Sequence, residues 1–161
     1  AYSVIYPAHP SWCVVVCSST GLVLLLFQHN GWLRGPGALL LLPLFFSSAE
    51  RPDYGEYQVD VLDVGQGQAV VVRTHAHTLV YDTGARFSER LDSGKAVIQP
   101  FLGHQGVGRI DLLLISHGDA DHIGGALSLL DSYPETPVLG QGVEDLPAPA
   151  SSRCAEGQNW T

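Results

Sequence analysis

The first 49 residues carry one charged side chain, Arg34, while all sixteen acidic residues and the other seven basic ones lie from Glu50 onward. A charge boundary this sharp separates two solvents and not merely two ends of a linker. By count the leading segment is one charge positive and the remainder nine charges negative. Residues 11–27, SWCVVVCSSTGLVLLLF, contain no charge. With a rise of about 1.5 Å per residue, some 20 apolar residues cross a bilayer core. With part of Tyr2 to Tyr6 the run reaches that length, and Pro7 and Pro10 bend it or mark its start. Residues 31–46, GWLRGPGALLLLPLFF, are a weaker candidate interrupted by Pro36 and Pro43. They suit a second span, a re-entrant piece or an interfacial helix. A signal peptide needs a basic leading region and a small-residue cleavage site, and neither is visible. A buried helix of a soluble core is the plainer alternative, but two apolar runs around one charge weigh against it.

Residues 1–48 are therefore expected to close a membrane-embedded region with one or two transmembrane helices, residues 49–58 to be a linker, and residues 59–161 to form part of a soluble domain. The chain has no methionine and begins at Ala1, so an internal piece of a longer protein is expected. Cys13 and Cys17 share a helix face as small apolar residues, and with Cys154 they make no disulfide framework. The acidic balance after Glu50 argues against a broad phosphate-binding patch. It does not exclude nucleic acid as a substrate, because bound divalent metals offset clustered carboxylates locally.

Past the linker the texture changes. Val59–Asp63, Ala69–Val72 and Leu79–Tyr81 read as three short strands rich in β-branched residues. The first two pair around Gly65-Gln66-Gly67, and the next pair turns around residues 74–78. Asp111–Ser116, DLLLIS, reads as a strand buried on both faces. Helices are expected around Ser93–Leu102 and over Gly124–Leu130, and residues 133–152, with many Pro, Gly and acidic residues, are expected to be mostly irregular. The fold class is α/β, and a strand, polar loop and helix in succession is where such folds place their chemistry.

That loop is Ser116-His117-Gly118-Asp119-Ala120-Asp121-His122-Ile123-Gly124-Gly125, with four potential metal ligands within six residues. In an extended loop His117, Asp119 and Asp121 point one way, and a helix start turns His122 toward them. Two carboxylates beside two imidazoles are costly unless a cation neutralises them. Mixed N/O ligation suits zinc or manganese. Such a metal turns bound water into a nucleophile near neutral pH. A loop whose acids only cap the next helix needs one acid, not two acids and two histidines.

The loop resembles the His-x-His-x-Asp-His signature of the metallo-β-lactamase superfamily, with Asp119 where most members have histidine. Leu62-Asp63-Val64-Gly65-Gln66-Gly67, Leu79-Val80-Tyr81-Asp82-Thr83-Gly84 and the Ser-His-x-Asp-x-Asp-His loop together resemble the ComEC family of DNA-internalisation competence proteins. The resemblance implies part of an αββα sandwich following a polytopic membrane region. It implies two divalent ions, with His117 and Asp119 on one, Asp121 and His122 on the other, and Asp121 also orienting the attacking water as the catalytic residue. Asp82 matches an acid that closes a strand beneath the site and supports the ligands. Asp63 and Gln66 are expected beside the site. Many relatives carry an acid after Gly-Gln-Gly, where this chain has Gln68. The superfamily's later histidine and bridging aspartate are expected beyond Thr161.

His75 and His77 have metal-pair spacing but sit in a hairpin turn with no acid adjacent, and His29 and His104 are isolated. Gly65-Gln66-Gly67 reads as a tight turn, since a phosphate loop would be followed by a helix. No Gly-x-Ser-x-Gly elbow is present. The implied function is a two-metal phosphodiesterase acting on DNA, whose non-transported strand is degraded during uptake. The implied setting is the cytoplasmic membrane among other DNA-uptake components, with the metal domain on the outer face. A hydrolase of a small ester, amide or thioester is the alternative enzyme. A non-catalytic module is the third reading.

Overall fold

A computed structural model describes residues 11–27, 31–45 and 51–155. The expected contribution of Tyr2 to Tyr6, Pro7 and Pro10, residues 28–30 between the two apolar runs, residues 46–50 at the linker, and 156–161 lie outside these. The chain divides into two compact units, residues 1–50 with 104–106, and residues 51–103 with 107–161.

In the first unit α1 (Trp12–Phe27) is the uncharged run. Its 16 residues rise about 24 Å, against a bilayer core of about 30 Å. Among the described residues no helix is long and apolar enough to cross a membrane. Trp12, Val16, Leu22, Val23 and Leu26 form an exposed apolar stripe. The second apolar run breaks at residues 40–41, just ahead of Pro43, into α2 (Arg34–Leu39), with Pro36 in its first turn, and a tight helical turn at Leu42–Phe45. The two helices meet at Gly21 and Gly37, where a Cβ on Gly21 would stand 2.6 Å from the Gly37 carbonyl oxygen. Any larger residue there would force the backbones apart.

The second unit is one six-stranded sheet in sequence order: β1 (Tyr57–Val61), β2 (Val70–Thr74), β3 (Thr78–Tyr81), β4 (Leu112–Ile115), β5 (Val138–Gly140) and β6 (Ser151–Ser152). β1, β2 and β3 are antiparallel neighbours, and β3 to β6 run parallel. Parallel neighbours need long crossovers. The first is the helical run Gly94–Ile98 continued by α3 (Gln99–His104), and the second is α4 (Ala120–Ile123) with α5 (Ala126–Ser132). Two departures from the sequence expectation are plain. The predicted helix over Gly124–Leu130 is two helices with the glycine pair between them. The stretch 133–152, expected to be mostly irregular, contributes β5 and β6. Three apolar-core residues after Pro137 are too few to show a period, and only their pairing with Leu113–Ile115 makes them a strand.

Side chains alternate across this sheet. Val71, Val80, Leu113, Ile115 and Val138 point to one face and form a single buried cluster with Ile98, Leu102, Ala126, Leu129 and Leu130 from the helices. The opposite face carries Val59, Val72, Leu79 and Leu112 in one cross-strand row, and Val61, Val70, Tyr81, Leu114 and Leu139 in the next. Most of that face is half-buried or exposed; Val59 is 49% and Val61 76% exposed. β4, expected to be buried on both faces, alternates between half-buried and buried. Of the sandwich's layers, the described residues therefore build one sheet and the helices on one side of it. Arg73 is the cation of the covered face, 3% exposed and 3.4 Å from Asp60.

Candidate metal-binding site

The parallel strands end on one edge of the sheet, and the loops leaving those ends hold the candidate residues, as the architecture favours. Asp82 follows β3, and Ser116 and His117 follow β4. β1 runs the same way as β3 because both are antiparallel to β2, so the Gly65-Gln66-Gly67 turn reaches the same edge.

Asp82 is fully buried, with φ of +54°, unusual for a residue with a Cβ. Its backbone N–H donates to the Leu114 carbonyl at 2.8 Å. Its Oδ1 accepts the Ser116 N–H at 2.7 Å, and its Oδ2 accepts the Ser116 hydroxyl at 2.7 Å. The same Oδ2 is 2.7 Å from His122 Nδ1. A buried carboxylate with this many donors is a fixed anchor and not a solvated acid. His122 therefore presents Nδ1 to Asp82 and leaves Nε2 facing the loop. The Asp82 hydrogen bond raises the His122 pKa above its ordinary 6.5, against the opposing effect of burial, with the charges of Asp82, Asp121 and Asp119 adding to the rise.

The neighbouring chain segments are locked to this anchor. Thr83 donates both its N–H (2.7 Å) and its hydroxyl (2.9 Å) to the His122 carbonyl. The Ser93 hydroxyl donates to the carbonyls of Thr83 and Ala85. The Gln68 N–H donates to the Asp121 carbonyl at 3.3 Å. A Cβ on Gly67 would lie 2.2 Å from that same carbonyl oxygen, so only glycine lets the turn close on the loop. The paired glycines Gly124 and Gly125 permit two close backbone approaches. A Cβ on Gly124 would meet the Arg86 nitrogen at 2.4 Å, and one on Gly125 the Gly94 nitrogen at 2.4 Å. They bring the helices close to the loops after β3, not to a strand.

The four expected ligands come together as two pairs. His117 Nε2 lies 3.2 Å from Asp119 Oδ2, and His122 Nε2 lies 3.5 Å from Asp121 Oδ2. The two imidazole rings stand 4.0 Å apart, and His117 Nδ1 is 2.9 Å from the Ser116 hydroxyl. Among the described residues no three His, Cys, Asp or Glu side chains converge on one metal position. The loop is extended only as far as Asp119, and Asp121 sits in the first turn of α4. Asp119 occupies the N-cap position of that helix yet makes no capping hydrogen bond, its carboxylate lying against His117. The donor set nevertheless suits a divalent cation. Two Nε2 atoms and two carboxylates share one small region, and one histidine is already oriented by a buried carboxylate through its other nitrogen.

Asp63 and Gln66 are exposed in the turn beside Asp121, and Asp63 Oδ1 accepts the Gly65 N–H at 3.1 Å, shaping that turn. His75 and His77 lie in the hairpin before β3, at the opposite end of the strands from the loop. No acid is adjacent to them in sequence, but parallel pairing of β3 with β4 brings Asp111 to 3.8 Å from His77. Burial pushes the Asp111 carboxyl up, but the Thr78 N–H and the Arg109 guanidinium outweigh it and hold the pKa below the ordinary value. A cleft of about 500 Å³ lies at that far end and shares no residue with the metal loop. The sequence reading gave no role to Ser116, Thr83 or Ser93. Ser116 was legible only as the residue before the first histidine.

A family model, the metallo-beta-lactamase superfamily, matches residues 62–159, and the chain belongs to that superfamily. Three relatives narrow the class. Recombination protein 2 of Haemophilus influenzae is 31% identical over 117 residues, 73% of this chain and 14% of that protein. Competence protein ComA of Neisseria gonorrhoeae is 39% identical over 117 residues, 72% of this chain and 16% of that protein. ComE operon protein 3 of Bacillus subtilis is 27% identical over 142 residues, 78% of this chain and 18% of that protein. The chain is a ComEC-like metallo-β-lactamase domain segment and spans about a sixth of the length of these relatives.

Proposed function

We propose that this chain forms part of a metal-dependent phosphodiesterase that hydrolyses the non-transported DNA strand during uptake. The observation that carries the reading is the pairing of His117 with Asp119 and of His122 with Asp121 beside a buried, fully bonded Asp82. DNA as the substrate is our reading, and the names of two relatives, a competence protein and a recombination protein, are in keeping with it. Two divalent ions, zinc or manganese, would be held by the two pairs and would supply Lewis-acid polarisation and an acidified water.

The chain's own residues supply the rest. Asp82 accepts from His122 Nδ1, fixing the tautomer whose Nε2 carries the lone pair. Ser116 donates to Asp82 through both N–H and hydroxyl, so that acid cannot swing. Asp121, half exposed on the first turn of α4, faces the site as acceptor for the attacking water's proton. In the complete protein, Asp121→Ala or His117→Ala is expected to abolish metal-dependent cleavage of linear DNA while the circular dichroism spectrum stays unchanged. Unchanged DNA cleavage in both variants would falsify the assignment. Wild-type turnover of a lactone with none of DNA would transfer it to a small-molecule hydrolase.

The apolar stripe of α1 supports a setting in the cytoplasmic membrane, alongside other DNA-uptake components. With Arg34 near the tip of an apolar hairpin, the positive-inside tendency puts that tip in the cytoplasm and the metal domain outside. A cysteine at Glu56 in a cysteine-free complete protein should then react with an impermeant reagent in cells whose outer membrane alone is permeabilised. Reaction only after inner-membrane rupture would rule this topology out.

A further inference from the structure

A cleft of about 390 Å³ adjoins the metal loop, lined by Arg86, Gly118, Ala120, Gly124, Gly142 and Asp145 among others. Gly118 and Ala120 alternate with His117, Asp119 and Asp121 along the same loop, so the cleft lies against that loop, although none of the four candidate ligands lines it. Ile123, Leu127 and Leu146 give the cleft a largely apolar lining. A Cβ on Gly142 would lie 3.0 Å from the Gly118 Cα, and Gly142 has a φ of +73° that disfavours any side chain. The wall is Arg86, whose backbone is held on both sides. It lies against Gly124, and it bridges to Asp92 on the returning chain.

The charge of Arg86 is what makes the cleft informative. Arg73, Arg109 and Arg153 each carry an acid: Asp60, Asp111 and Glu144; among the described residues Arg51, Arg90 and Lys95 pair with none, and they do not line this cleft. Arg86 is exposed and pairs with no acid among the described residues, and Asp145, in the same cleft, makes no ion pair with it. In a segment with sixteen acids to seven bases, a guanidinium fixed at its base and unneutralised beside clustered carboxylates is a local inversion of sign. Guanidinium groups match phosphate oxygens in a bidentate geometry.

We infer that this cleft is a strand subsite in which Arg86 pairs with a phosphate flanking the scissile phosphodiester. The inference rests on the phosphodiesterase reading and adds to it a positioning residue that touches substrate away from the reacting atoms. Removing one phosphate contact should weaken strand binding roughly tenfold and lower the salt dependence by about 0.7 in slope.

The test uses the complete protein with two substrates: a thymidine oligonucleotide of about twelve nucleotides, and bis(p-nitrophenyl) phosphate, a diester with no flanking phosphate. Arg86→Gln is expected to raise KM for the oligonucleotide roughly tenfold, with little change in kcat and less than about twofold loss on the small diester, and Arg86→Lys to recover most of the KM. Anisotropy of the fluorescein-labelled oligonucleotide in EDTA reads binding without turnover, and the same tenfold weakening is expected there. Equal loss on both substrates, or unchanged KM and anisotropy for the oligonucleotide, would overturn the inference. A wild-type protein that cleaves neither substrate would remove the phosphodiesterase reading alone, and the anisotropy comparison would then decide whether Arg86 holds a strand.

Discussion

The two faces of the central sheet are built from the same residue types and end in opposite states. Val71, Val80, Leu113 and Ile115 lie under the helices with no exposed surface. Val59, Val61, Val72, Leu79 and Leu112, their neighbours on the same strands, face outward and are half-buried or exposed. Strand propensity is satisfied equally by both rows, so propensity does not distinguish them. What differs is the layer above. The covered row loses its surface to Leu102, Leu129 and the rest of the helical cluster, and burial is where apolar side chains contribute stability. A contiguous Val and Leu face on the other side is the kind of surface that marks a contact with something else.

A paired substitution tests this contrast most directly. Leu113→Ala, on the covered face, is expected to cost about 2–5 kcal/mol in urea unfolding of this chain, the range for emptying a packed leucine site. Leu112→Ala, one residue away on the open face, should cost less than about 1 kcal/mol. Equal losses at the two positions would mean the open face is covered in solution.

The rim between the faces is held by Asp82. Asp82→Ala leaves the Ser116 N–H and the His122 ring nitrogen without their acceptor, at about 1–3 kcal/mol for a buried group left unpaired. A midpoint within error of wild type would show that the network is not made in solution. Arg73 probes the covered face from inside. It is buried, and its Nε and Nη1 have no protein partner. Replacing both members of a buried ion pair by apolar residues is often neutral or stabilising, whereas removing one member strands the other charge. The double variant Arg73→Met with Asp60→Leu is therefore expected to stay within about 1 kcal/mol of wild type, or to gain. A loss of several kcal/mol would instead assign the Asp60 ion pair a structural role.

The smallest effect is a pH dependence confined to the site edge. Asp82 raises the His122 pKa in the folded, metal-free chain. A raised pKa means the folded state binds the proton more tightly than the unfolded one. The stabilisation is full below the unfolded value of 6.5 and is lost as pH rises through the higher folded value. Urea midpoints of chelated protein should fall across that window, and Asp82→Asn should flatten the profile. A wild-type profile with no slope there would leave the Asp82–His122 bond without a protonated imidazole.

The sequence alone determined the segregation of apolar from charged residues, the three β-branched strands that open the domain and the loop bearing His117, Asp119, Asp121 and His122. These are local features, since period, turn chemistry and ligand spacing are all written within a few residues. It did not show that Val138-Leu139-Gly140 is a strand, because three residues have no period until Leu113–Ile115 pair with them. Nor did it show that α4 begins at Ala120, which places Asp121 on a helix. Ser116 and Thr83 are tied into the site by Asp82 and His122, far off in sequence, Ser93 is tied to the Thr83 carbonyl, and Arg86 stands against Gly124, which admits its backbone. Above all, identical alternation of Val and Leu cannot say which face will be covered. That is decided by which side of the sheet the crossover helices pack on, a relation between elements and not within any one of them.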